Sequence, residues 1–354
     1  MNSLVLAVLL AVPMALAAAP SAGAFQNPIT ALKPLCRETP VAAGGKAEAV
    51  ILAPDTAEGR KAGEVVAAAV KAKSGVAVPV VTDLAQADLA KTNVIALGNL
   101  LDNPLIERLY WNRYSFADRL YPGAGKFTLR SVCNPYPWAA GKNAFLVEAS
   151  DDAGLLAGAR ALAARVGEGP NVTLPWTLIH SGYTPPAPET REKARAGLKP
   201  GAGFREFHGA VLAYLRVPNP TLMDQAKLTL ESLCEIYEKD PKHHLTWPDE
   251  TTSEWIMPAW DAVEECDDLT DAERLRYTNL LLAQLRAHPQ HIFEYRDLEK
   301  ATSITWNHIT FPLMGLYFSS RYFRAYYPQV DVDQMALFRR KIEACFAGQE
   351  KCWK

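Results

Sequence analysis

Short apolar runs alternate with alanine-rich helical stretches over residues 49–180 of this 354-residue chain. Residues 49–52, Ala-Val-Ile-Leu, read as a strand ended by Pro54-Asp55. The spacing of apolar positions predicts a helix over 57–73, stopped by Ser74-Gly75. Further β-branched strands are predicted over 76–81 and 93–97. A strand over 143–149 is followed by Ser150-Asp151 as a helix cap, a helix over 154–166 and a closing strand over 172–179. Alternation of this kind implies an α/β sheet with helices packed across it. Thr184-Pro185-Pro186-Ala187-Pro188 then reads as a stiff linker. Beyond it the β signal vanishes, and helices with broad apolar faces are predicted over 222–239, 252–266, 271–288, 312–326 and 331–346. Turns such as Asp240-Pro241 and His288-Pro289 separate them.

The start of the chain has a different texture. Residues 4–19 are apolar and uncharged, and Ala22-Gly23-Ala24 offers small residues where a signal peptidase cuts. The expectation is a signal peptide over 1–24, cleavage before Phe25, and a secreted or periplasmic protein. Met1-Asn2-Ser3 lacks the usual basic residue, so a retained N-terminal anchor is the alternative. No later segment is apolar enough for a membrane span in the mature chain. The expected organisation is an α/β domain over 25–183, a proline-rich linker over 184–203 and a helical domain over 204–354.

Composition narrows the partners. Lys plus Arg number 37 against 39 Asp plus Glu, a formal charge of −2, which argues against nucleic acid. The six cysteines (36, 133, 234, 266, 345 and 352) are too sparse for a disulfide framework, although Cys234 and Cys266 stand on successive predicted helices where they could meet. No clustered Cys/His spacing suggests a metal, no GxGxxG or GxxxxGK[ST] suggests a nucleotide, and no cofactor is expected.

Two resemblances add to this. Val50-Ile51-Leu52-Ala53-Pro54, Asn93-Val94-Ile95-Ala96-Leu97-Gly98-Asn99, and Phe145 to Ala149 with Ala153 to Ala159 make residues 46–180 resemble the small α/β domain that precedes the catalytic domain of family 20 hexosaminidases and family 67 glucuronidases. In those families the domain supports its neighbour and does no chemistry. Thr305-Trp306-Asn307-His308, followed by Phe311-Pro312-Leu313-Met314-Gly315-Leu316-Tyr317, makes the second half resemble the start of an (α/α) toroid of heparinase II/III-like and alginate-lyase-like polysaccharide lyases. The fold class implied is a small α/β sandwich domain followed by a partial (α/α) toroid.

By that resemblance the substrate is an anionic, uronic-acid-containing polysaccharide, cleaved by β-elimination. Such lyases remove the C5 proton of a uronate and expel the C4 oxygen. Asn307 would neutralise the carboxylate as an oxyanion stabiliser does, and His308 would be the base or its partner. Pro312 is comfortable only in a first helical turn, so the pair is expected just ahead of that helix. Trp247, Glu254, Trp255, Trp306, Tyr317 and Arg321 are the expected substrate-binding residues. Flat aromatic faces stack on sugars, and Arg321 with Arg324 would bind carboxylate or sulfate. The competing readings are a cap for Asn307, toroid filling for the tryptophans, and core packing for Tyr322, Tyr326 and Tyr327. His208, His243, His244, His288 and His291 have no spacing that marks them as functional. Asp249, Glu250, Glu254 and Asp261 supply carboxylates for an alternative glycoside hydrolase. A second alternative is a non-catalytic exported glycan-binding protein. The catalytic Tyr and a further His of the lyase families come downstream of the Asn-His pair, and a toroid needs about a dozen helices. The chain is therefore expected to be a portion of a longer enzyme, and possession of activity by this portion is left open.

Overall fold

A computed structural model describes residue 25 and residues 27–241, 253–287 and 307–350. Its first half contains β1 (Thr39–Ala43), β2 (Lys46–Ala47), β3 (Ala49–Leu52), α1 (Ala57–Ser74), β4 (Val80–Val81), β5 (Asn93–Gly98), α2 (Pro104–Trp111), β6 (Phe127–Val132), β7 (Ala144–Ala149), α3 (Asp152–Arg165), β8 (Val172–Leu174) and β9 (Leu178–His180). Six strands form a mixed sheet in the order β4-β3-β5-β7-β6-β9; β4, β3, β5 and β7 run parallel, and β6 is antiparallel to both its neighbours. The remaining three make a small antiparallel sheet, β2-β1-β8.

The period-two alternation of β3 and β5 divides their side chains between two cores. Ile51, Ile95 and Leu97 pack with α1 and α3. Val50, Leu52, Val94 and Ala96 pack with Leu105, Ile106 and Leu109 of α2. The predicted strand over 172–179 is in fact two short strands in different sheets, because Pro175 interrupts the run and lacks a ladder donor. The strand predicted over 76–81 shortens to Val80–Val81, with Val76 and Val78 buried as core side chains outside the ladder.

Asn103 fixes α2. Its carbonyl oxygen caps the helix by accepting from the Leu105 and Ile106 amides, while its Nδ2 donates to the Leu52 and Leu97 carbonyls at 3.1 and 2.8 Å. One side chain thus ties the start of α2 to the ends of β3 and β5. Where α2 ends is decided there.

The second half is helical: α4 (Pro188–Ala196), α5 (Phe204–Arg216), α6 (Pro220–Lys239), α7 (Ser253–Val263), α8 (Asp271–Ala287), α9 (Asn307–Tyr326) and α10 (Val332–Glu350). The proline run predicts a linker; Pro188 instead occupies the first turn of α4, where its missing N–H is harmless. No residue of α4 is buried, and Arg191 pins it to Asp224 through two hydrogen bonds of 2.9 Å. Both consecutive and alternate helices are neighbours: α5 packs on α6 and α9 on α10, while α5 also packs on α7, α7 on α9 and α6 on α8. Helix α7 is the most enclosed, with nine of its eleven residues buried. Among the described residues no helix is long and apolar enough to cross a membrane.

The halves are joined by buried polar groups. Arg130 pairs with Glu148 at 3.2 Å and reaches the Leu215 carbonyl of α5 at 2.6 Å. Residues 27–37 cross onto the helices, where Ile29 joins the helical core and Asn279 holds its amide and carbonyl at 2.7 and 2.9 Å. Lys33 lies 3.0 Å from Glu264 and 3.3 Å from Glu265, and burial notwithstanding, those carboxylates hold its ammonium well above the usual lysine range. Tyr322 donates to Glu264 at 2.7 Å, so the tyrosines 322, 326 and 327 are buried core residues. Cys234 and Cys266 are both buried as free thiols and form no disulfide.

Candidate functional site

Helix α2 ends in a turn whose hydrogen bonds define its geometry. The Tyr114 amide donates to the Leu109 carbonyl and the Arg113 amide to the Tyr110 carbonyl, both at 2.9 Å. This is a Schellman closure, and its left-handed position falls on Arg113, with φ of 71°. Glycine is the usual occupant; a residue with a Cβ there costs about 1–2 kcal/mol. The Arg113 side chain leaves the α/β domain and enters the helical half.

There it meets residues of three helices. Its guanidinium lies 3.4 Å from the ring centroid of Trp255, at the start of α7, and 5.3 Å from that of Phe318, on α9. It is 3.4 Å from the Glu254 carboxylate, longer than the ~2.7–2.9 Å of a formed charge-assisted hydrogen bond. His208 of α5 stacks on Trp255 at 5.7 Å between centroids and feels the charge of Arg113. Arg321, one turn beyond Phe318, lies 4.7 Å from that ring and 4.2 Å from Tyr136, and donates to the Asn112 side chain at 2.9 Å. Tyr317 stands beside Tyr136.

The electrostatics follow from enclosure. Removal from water pushes the Glu254 carboxyl up, against the pull of Arg113. The Arg113 guanidinium is pushed down by burial, held up by Glu254 and lowered again by Arg321. His208 is lowered to about 4, first by burial and then by Arg113. Its Nε2 is buried with no hydrogen-bond partner among the described residues. Among the described residues two guanidiniums thus lie among aromatic rings, Arg113 facing Glu254 and Arg321 within reach of the buried Asp261 carboxylate.

Four expected binding residues, Glu254, Trp255, Tyr317 and Arg321, therefore come together, although 67 positions separate the outermost two, Glu254 and Arg321, in the sequence; the packing of α7 on α9 brings them close.

 The α7–α9 contact does this locally at Gly315, where an added Cβ would stand 3.1 Å from the Ser253 carbonyl oxygen. Only a residue without a side chain lets the start of α7 lie so close to α9.

Arg113 lies over the Trp255 ring. One expectation needs correction: Asn307 and His308 are the first two residues of α9 rather than a segment ahead of it. Pro312 consequently lies inside the helix and brings no N–H to the His308 carbonyl four residues back. The side chains of Asn307 and His308 lie outside the described residues, as do Trp247, Trp306, His243, His244, His288, His291, Asp249 and Glu250. Arg324 is exposed. Asp261 is enclosed and accepts from the Tyr114 hydroxyl at 2.5 Å.

Arg113, Asn112, Tyr136 and His208 are missed by the sequence reading. A helix ending in Asn-Arg where glycine is usual is the one local sign that pointed to Arg113. A cleft of ≈ 520 Å³ beside α4 is lined by Arg191, Asp224, Lys227 and Asp268, whose charges already pair with one another or with Glu273. Among the described residues no group of three or more His, Cys, Asp or Glu side chains could hold a metal ion. No protein-family model and no curated protein matches the chain.

Proposed function

We propose that this chain is an exported polysaccharide lyase, or a portion of one, that acts on a uronic-acid-containing polymer by β-elimination. The observation that carries the reading is the pair of guanidiniums, Arg113 and Arg321, held among the rings of Trp255, Phe318 and Tyr136, with Phe318 and Arg321 on the helix that Asn307 and His308 open. Guanidinium forks match carboxylates, and aromatic faces match the C–H faces of sugars. The packing of α5 on α7, α7 on α9 and α6 on α8, beside the consecutive pairs α5 with α6 and α9 with α10, is compatible with a partial (α/α) toroid and supports the same reading.

In the reaction proposed, a base takes the C5 proton, the electron pair forms the C4–C5 double bond, and the C4–O bond breaks. The leaving oxygen takes up a proton. His308 serves as the base or its partner, and Asn307 donates a hydrogen bond to the carboxylate as enolate charge develops on it. The hydrolase reading loses ground at Asp261, whose carboxylate is enclosed and bonded to Tyr114.

Variants at the two positions test the assignment. His308→Ala is expected to lower kcat about 10²–10⁴-fold, and Asn307→Ala about 10²–10³-fold, with circular dichroism unchanged. Full turnover by a folded His308→Ala protein removes His308 from the reaction.

A further inference from the structure

We propose that the α/β domain supplies part of the binding site: Arg113, with Arg321 and His208, receives the anionic group of an acidic sugar at the junction of the two halves. The proposal rests on the reading of the ligand as an acidic saccharide, but not on turnover.

Arg113 has unused binding capacity. Its guanidinium carries five N–H donors, and none makes a hydrogen bond to a described residue at the distances of a formed bond. The side chain is 16 % exposed, so solvent or a ligand reaches it. The Trp255 ring, 3.4 Å from its central carbon, holds the guanidinium in place, and an arginine so held is suited to a carboxylate or sulfate.

Arg321 adds a second cation. It is 5 % exposed, and its hydrogen bond and ring contacts among the described residues go to the neutral Asn112, Tyr136 and Phe318, with the enclosed Asp261 the carboxylate that feels its charge. Arg113 and Arg321 flank the same Phe318 ring, so their centres are no more than about 10 Å apart and repel. An anion between them removes that repulsion. His208 is 8 % exposed and its Nε2 has no partner among the described residues, a second sign of an unmet polar contact at the same place. Burial holds this imidazole neutral. Its free nitrogen suits a sugar hydroxyl.

The left-handed backbone at Arg113 points the same way. A glycine would close the α2 turn without strain, yet a long cation stands there and reaches across to α7 and α9. The ligand class is an acidic saccharide, and a neutral sugar of the same size should be discriminated against.

The test is calorimetric titration of the whole chain with a glucuronic acid oligosaccharide and with its methyl ester, which is neutral. Wild type is expected to prefer the acid at least tenfold. Arg113→Met is expected to lose most of that preference, with its melting temperature and its affinity for the ester little changed. Arg113→Lys keeps the charge without the planar fork and should fall between the two; it also serves if Arg113→Met fails to fold. Equal affinity of wild type for acid and ester, no binding of either, or an undiminished preference in both variants would overturn the proposal. Turnover is read separately. Binding that depends on Arg113 without β-elimination upholds the anion site and removes the lyase reading.

Discussion

His208 has a lowered pKa because its imidazole, stacked on Trp255, is removed from water and is faced by the Arg113 cation. The folded protein therefore resists protonation that the unfolded chain accepts. As pH falls from the ordinary histidine range near 6.5 towards about 4, the unfolded state binds the proton first and stability declines. The loss is at most about 3 kcal/mol, since each pKa unit is worth about 1.4 kcal/mol and the site is partly hydrated. Urea unfolding of wild type and His208→Phe across that interval measures it. The variant is expected to show a shallower fall, and an identical pH dependence would remove His208 as its source. Residue-scale features of this kind were scarcely legible: a single histidine has no periodicity, and its partners come from segments far apart in sequence.

At the scale of elements, the helices and strands with clean periodicity were legible. Strand β5, helix α1 and helix α3 follow from β-branched runs, apolar spacing and the caps at Thr56 and Asp151. The elements that escaped are those whose pattern is broken by residues satisfied elsewhere. In β6, Thr128 and Arg130 face inwards because Glu148 accepts from both, so a polar residue stands where alternation calls for an apolar one. In α4 the proline run signals a linker, and the helix is held by ion pairs without an apolar face. Gly315 is an element-scale feature with a consequence for the site. A side chain there would wedge α9 away from Ser253 and carry Phe318 and Arg321 away from Trp255 and Arg113. Gly315→Val is expected to cost about 1–3 kcal/mol of stability, as overpacking does, and to weaken acidic-sugar binding. Denaturant unfolding beside a binding titration checks both. Unchanged affinity in the folded variant would separate that helix contact from the site.

For the molecule as a whole, the sequence divides into an α/β part and a helical part, and the composition changes sharply between them. The polar seam between the parts was not legible, because Lys33, Arg130, Asn112 and Arg113 find their partners only when the chain has folded across itself. That seam is also where the candidate site lies. The α/β domain is thus more than a support in this account, and the helical half presents its cations and aromatic rings against it. The central claim is cleavage of a uronate polymer by β-elimination. The most direct measurement is ultraviolet absorbance during incubation of the chain with uronate polymers, read beside the release of reducing ends. The account predicts absorbance rising in step with new chain ends, from the C4–C5 double bond that elimination leaves. New ends without that absorbance would contradict it, since hydrolysis leaves no double bond.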